Sequence, residues 1–228
     1  MYCSNVVMYD TIDLWGGVKM SKIILDLCGG TGSWSKPYKE AGYDVRVITL
    51  PEHDVREYTP PEIVYGVLAA PPCTEFSVLN CVAAPRERDE EAGLEIVKAC
   101  LDIINSCEII AFWALENPRG YLREAIKPYL NKPYKLTFQP WEYGDPWTKA
   151  TDIWGDFKIP PKKYTKWEDV PKLDLYTRPG RGKPNFAYLH KSAIKNIPQL
   201  SCYNPKTDAE FRAITPPGFA KAFFEANQ

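Results

Sequence analysis

Short apolar runs that do not alternate with polar residues set the strongest constraint on how this chain can fold. Ile23-Ile24-Leu25-Asp26-Leu27, Val45 to Leu50, Ile63 to Leu68 and Ile109 to Leu115 each read as a strand buried on both faces. Helical stretches lie between them. Ser33 to Ala41 reads as a helix, with Pro37 tolerated in its first turn and Gly42 as its stop. Arg88 to Cys107 carries Leu94, Val97, Leu101 and Ile104 at three- and four-residue steps, the pattern of a long amphipathic helix. Tyr121 to Leu130 reads as another. Strands alternating with helices predict an α/β fold, a mostly parallel sheet with helices on both faces. Tyr134 to Phe138 and Thr151 to Trp154 are expected as later strands, and Pro217 to Asn227 as a closing helix.

In such sheets ligands bind beyond the carboxyl ends of the strands. Three motifs fall there. Asp26-Leu27-Cys28-Gly29-Gly30-Thr31-Gly32 is a glycine turn, through which backbone amides can approach a ligand. It is neither GxGxxG nor followed by a Walker lysine, so a nucleoside or amino-acid cofactor suits it better than a triphosphate. Pro71-Pro72-Cys73 places a thiol behind two stiff residues, a candidate nucleophile. Glu116-Asn117-Pro118 ends an apolar run. A carboxyl there is a candidate for a raised pKa and for proton donation to a ring nitrogen. The alternatives at each position are a plain turn, a small buried cysteine and a helix-capping glutamate.

The 228 residues suit one core domain with a small appendage. The core is expected over 20–157, completed by 211–228, with residues 1–19 as an N-terminal extension and 158–210 as a small irregular basic subdomain. No apolar stretch is long enough to span a membrane, and no secretory signal is evident. Seven cysteines without metal-like pairs suggest a reducing compartment, and with only two histidines, His53 and His190, the composition argues against a zinc site; no metal is expected. The whole chain carries −1, but from Lys158 to Lys206 eleven Lys and Arg face only Glu168, Asp169 and Asp174, a net +8. Tyr164, Trp167, Tyr176, Phe186 and Tyr188 are interleaved, which suits a phosphate backbone and unstacked bases; a solvated lysine-rich surface is the plainer alternative.

In these motifs the chain resembles the cytosine-C5 DNA methyltransferases, particularly their compact bacteriophage-type members. The resemblance covers about residues 22–155 and 212–227 and is most specific in the ordered pair Pro71-Pro72-Cys73 and Glu116-Asn117. It implies a Rossmann-like methyltransferase fold and S-adenosylmethionine as cofactor, held by Asp26, Leu27, Cys28, Gly29, Gly30, Thr31, Gly32, Glu52, Asp54, Val55, Pro71 and Thr215. The implied catalytic residues are Cys73, Glu116, Asn117 and Lys149, the last from Trp147-Thr148-Lys149-Ala150-Thr151. The implied partner is double-stranded DNA with the target cytosine flipped out, contacted by Ser77, Lys162, Lys163, Lys166, Arg178, Arg181 and Lys183. A phage protein of this kind would work in the cytoplasm of a bacterial host. The chain departs from the family at Thr74, Pro118 and Leu50, where glutamine, valine and a ribose-binding acid are usual, and Glu52 is the substitute for that acid. Only one cation, Lys149, stands where arginines are usual. An RNA methyltransferase and an inactive nucleic-acid-binding relative are the alternatives.

Overall fold

The computed structural model describes residues 11–12, 18–19, 22–77 and 88–228. Two short strands, β1 (Thr11–Ile12) and β2 (Val18–Lys19), pair antiparallel with each other. The rest of the expected N-terminal extension lies outside the described residues.

Six further strands form one sheet in the order β4-β3-β5-β6-β8-β7. They are β3 (Ile23–Leu27), β4 (Asp44–Ile48), β5 (Ile63–Ala69), β6 (Glu108–Pro118), β7 (Leu136–Phe138) and β8 (Thr151–Asp156). β3 to β6 run parallel, and β8 runs antiparallel to both β6 and β7. The helices are α1 (Lys36–Glu40), α2 (Glu90–Ser106), α3 (Leu122–Ala125), α4 (Asp208–Ala213) and α5 (Pro217–Ala226).

The apolar runs are continuous because both faces of the sheet are covered, and side chains alternate between two cores. Leu25, Leu27, Val67, Ala69 and Leu115 pack with Val97, Cys100 and Leu101 of α2 and Leu122 of α3. Ile24, Leu68, Phe112 and Ala114 point the other way, onto Tyr38 of α1 and Phe219 and Phe223 of α5. α2 starts where Asp89 accepts the Ala92 N–H at 3.0 Å, with Glu90 and Glu91 in its first turn, as the helix dipole favours. The result is a Rossmann-like α/β fold.

Register fixes the site. Leu27 lies opposite both Ile48 and Ala69, and Ala69 lies opposite Leu115. Cys28, Ala70 and Glu116 therefore step past one row, and the three motifs share an edge of the sheet.

Several boundaries differ from those the sequence predicts. The first helix is shorter than 33–41, because residues 31–35 form turns before it. The stretch expected as a helix over 121–130 is helical only at Leu122–Ala125 and continues as turns. The strand expected to stop at Leu115 runs on to Pro118, because β8 pairs with it there: Glu116 opposes Ile153 and Asn117 opposes Asp152. Glu116 thus sits inside a strand and not in a loop after one.

The basic segment has little regular structure beyond short 3-10 turns, yet it has a core of its own. Leu175, Phe186, Leu189, Ile197 and Leu200 gather around Trp147, Phe211 and Ile214. Phe186 stacks on Trp147 at 5.2 Å. Thr148 ties the segment to the sheet, donating its N–H to the Pro184 carbonyl and accepting the Phe186 N–H. Among the described residues no helix is long and apolar enough to cross a membrane.

The seam between β6 and β8 depends on Gly155, which has φ +144° and faces Ala114. A Cβ there would lie 2.1 Å from the Trp113 carbonyl oxygen. Gly155→Ala is expected to lower stability by about 2 kcal/mol or more, read as a lower urea midpoint. An unchanged midpoint would show that the seam tolerates a side chain.

Candidate active site

The glycine loop rests on a buried acid. Asp26, fully buried, accepts a hydrogen bond on Oδ2 from the Ser35 hydroxyl at 2.5 Å, while its Oδ1 has no partner. Burial raises its pKa to about 6, against the lowering effect of Ser35. A Cβ on Gly29 would lie 2.4 Å from the Asp26 carboxyl carbon, so the loop can cross here only without a side chain. Cys28 takes φ +56° and its thiol faces Cys100 on α2 at 4.0 Å, away from the loop's open side. Leu27 is core, which leaves only its backbone for a ligand. Gly30 and Thr31 are exposed. Thr215 joins this loop from the far end of the chain, its N–H donating to the Ser33 hydroxyl at 2.8 Å.

Beyond β4, Leu50 stands two-thirds exposed and Glu52 is exposed beside it. Asp54 is held by Arg56, whose hydrogen bonds keep its pKa at about 2. The Val55 side chain is buried in the core, so the expected ligand contact there is left to its backbone.

The nucleophile turn is pinned at both ends. The Cys73 carbonyl accepts the N–H groups of Phe76 and Ser77, and Phe76 is a fully buried plug whose carbonyl accepts the Tyr121 N–H. Upstream, the buried Pro71 carbonyl accepts the Asn117 side-chain amide at 3.0 Å. Asn117 therefore holds the proline turn in place. Its side chain points to the face of β6 opposite Glu116, with its own Oδ1 buried and without a partner.

Glu116 is 6% exposed. Burial raises its pKa; Lys149 opposes that rise and Asp152 adds to it. Lys149 Nζ lies 3.9 Å from Glu116 Oε1 and donates to the Arg212 carbonyl at 3.0 Å. Asp152 is itself satisfied, taking two bonds from Arg123 at 2.5 and 2.6 Å and one from the Thr137 hydroxyl. Cys73 belongs to the same cluster. Burial pushes its thiol up, Lys149 and Arg212 pull it down, and Glu116 pushes it up.

Arg212 and Asp152 are members of this site that the motifs do not reveal. Arg212 is 63 residues from Lys149 in sequence, and no local pattern points to it. Asp145 lies outside the cluster: buried, and raised to about 7 by that burial, it accepts the Gly218 N–H at the start of α5, the helix that follows Thr215.

The basic residues divide into two groups. Lys162 is paired with Glu142 at 2.5 Å and is not an open cation. Lys163 lies by Tyr164 and Gly144, and Lys166 is exposed. Arg178, Arg181 and Lys183 line a cleft of about 510 Å³ with Thr148 on its rim. Ser77 stays near the thiol turn, bridged to Gly120.

No protein-family model matches the sequence, and no curated protein does. Solved structures with a Rossmann-like methyltransferase fold are similar at low identity. A Spodoptera frugiperda DNMT2 mutant has 17% identity and a TM-score of 0.38 over 72% of this chain and 57% of that one. S. pombe Dnmt2 methyltransferase has 12% and 0.37 over 76% and 66%. The Entamoeba histolytica methyltransferase EhMeth has 11% and 0.39 over 77% and 65%. The chain thus spans less than two thirds of the length of these proteins, and the reading of function rests on the site itself.

If Lys149 stabilises a Cys73 thiolate, its removal raises the thiol's pKa further. The pH midpoint of Cys73 alkylation by iodoacetamide, followed by peptide mass spectrometry, is expected to lie above that of an ordinary thiol and to rise again in Lys149→Met. An unmoved midpoint would separate the two side chains.

Proposed function

We propose that this protein is a methyltransferase that uses S-adenosylmethionine to methylate C5 of cytosine in DNA. The observation that carries the reading is the convergence of Cys73, Glu116 and Lys149 at one sheet edge, beside a bare glycine loop.

The glycine loop fits the cofactor. Gly29 keeps it clear of side chains, and the orphaned oxygen of Asp26 suits a cationic, amine-bearing ligand above it. Residues 26–32 would hold it, with Thr215 behind them and Glu52 and Asp54 on the β4 side. When bound, it supplies an electrophilic methyl group on a sulfonium, which carbon C5 takes up.

The chain's own side chains make C5 reactive. C5 is a weak nucleophile until a group adds to C6. The Cys73 thiolate adds there, and Lys149 and Arg212 offset its charge. Protonated Glu116 donates to N3, which draws electrons from C6 and favours the addition. After methylation a base removes the C5 proton, the C5–C6 double bond re-forms and Cys73 departs with the electron pair of its bond to C6. A base inside a duplex cannot reach this thiol, so the target is turned out of the helix at a cost of about a few kcal/mol. Lys166, Arg178, Arg181 and Lys183 hold the phosphates.

Cys73→Ser is expected to reduce methyl transfer from labelled cofactor by about a thousandfold or more while retaining DNA binding. Full activity in that variant would overturn the mechanism. Glu116→Gln is expected to cost about a hundredfold or more with little change in fold. Running both with DNA and RNA substrates identifies the polymer, and transfer to RNA alone would overturn the DNA assignment.

DNA affinity should also fall steeply with salt, since each phosphate contact contributes a slope of about −0.9 in log K against log salt. A flat response in a filter-binding titration would remove the +8 segment from the interface.

A further inference from the structure

The cleft on the basic segment has properties that duplex binding does not require. Its wall combines Arg178, Arg181 and Lys183 with the rings of Tyr176 and Tyr188. Among the described residues none of these three cations forms an ion pair with a carboxylate. The Arg178 guanidinium donates to the Tyr188 hydroxyl at 3.0 Å and lies 5.0 Å from its ring centre, which fixes that ring on the cleft wall. Tyr176 is 59% exposed and Tyr188 38%. The Lys183 ammonium lies over the Trp141 and Trp167 rings, 4.8 and 5.3 Å from their centres, so Arg178 and Arg181 carry most of the open charge, and exposed aromatic surface beside it suits a flat ring that carries an anion.

The place of the cleft narrows the choice. Its rim includes Thr148, and the next residue is Lys149, whose ammonium lies 3.9 Å from Glu116. A nucleic-acid strand that placed its target base at Cys73 and followed the chain from Lys149 to Thr148 would bring a neighbouring nucleotide to this cleft. The cleft's volume, about 510 Å³, is within the range of small-ligand pockets. It can admit a base only if that base is unstacked, because a base within a duplex shows neither face.

We infer that this cleft holds one unpaired nucleotide next to the target, its phosphate among Arg178, Arg181 and Lys183 and its base against Tyr176 or Tyr188. The protein therefore prefers a strand that is already open beside the target over a fully paired duplex. Stacking gives affinity without selecting a sequence, and a paired substrate must first give up a stacking step. The choice of neighbouring nucleotide rests on the function proposed above; the binding of an unpaired nucleotide does not.

The test is fluorescence anisotropy with the whole chain and no cofactor. The probes are a labelled cytosine-containing DNA single strand, the same strand in a perfect duplex, and a duplex with a mismatch beside the cytosine. The single strand and the mismatched duplex are expected to bind more tightly than the paired one. Tyr176→Ala with Tyr188→Ala should weaken single-strand binding by about tenfold, change duplex binding little, and regain most of the loss as the double Phe variant. Arg181→Glu, at an exposed position, should give a similar loss and serves if the double Ala variant melts early.

Equal or tighter binding of the paired duplex overturns the proposal, as does undiminished single-strand binding by a folded Ala variant. Displacement of the strand by cytidine monophosphate at matching concentrations would make this a site for a free nucleotide and overturn it too. Methyl transfer measured in parallel keeps the two conclusions apart. A single-strand preference without transfer refutes the catalytic reading alone, and transfer without the preference refutes this one alone.

Discussion

One ammonium group joins the parts of this protein that are able to do chemistry. Lys149 sits just ahead of β8, donates to the carbonyl of Arg212 on α4, faces the Glu116 carboxyl near the end of β6 and acts on the Cys73 thiol. Three stretches of chain far apart in sequence meet on it. Glu116 is almost wholly buried, and an ionised carboxyl in that position would be costly with nothing opposite. The lysine makes the burial tolerable while leaving the acid's pKa high. A carboxyl raised by burial and restrained by a facing ammonium follows from that balance, and not from Glu116 alone.

The sheet makes the balance possible. β6 continues through Glu116 and Asn117 only because β8 runs beside it in the opposite sense, and β8 can approach closely only because residue 155 is a glycine. The same pairing brings Asp152 opposite Asn117. Arg123 and Thr137 hold the Asp152 carboxyl, and its charge raises Glu116. On the other face of the strand, Asn117 uses its amide to hold Pro71, which sets where Cys73 begins. Glu116 and Cys73 are thus both placed from adjacent residues of one strand, the first directly and the second through the bond of Asn117 to the Pro71 carbonyl.

The sequence makes the sheet and the three motifs legible because both rest on local patterns. Uninterrupted apolar runs report two covered faces, and Gly29, Pro71-Pro72 and Glu116 each follow one of those runs. What the sequence conceals comes from pairing and long-range contact. The extension of β6 past Leu115 depends on a partner strand about forty residues away. Arg212 enters through a backbone carbonyl, to which residue identity gives no clue. Lys162 reads in the sequence as an open cation but is neutralised by Glu142, twenty residues earlier. Nothing in the structure explains Leu50, which stands exposed where an acid was expected.

The proposed mechanism asks for a proton on the Glu116 carboxyl and none on the Cys73 sulfur. Glu116 pushes the Cys73 thiol up, while the rise at Glu116 itself comes from burial and from Asp152. Burial raises both groups, the thiol from a higher ordinary value than the carboxyl. The proposed attack on C6 would need a protonated glutamate beside a thiolate. A pyrimidine edge beside Glu116 excludes the remaining water and offers N3 as a hydrogen-bond acceptor, and both effects favour the neutral acid. Once that carboxylate is gone, Lys149 and Arg212 have only the sulfur left to balance. Under that proposal the substrate would itself favour the thiolate, by changing the charge of the acid beside it.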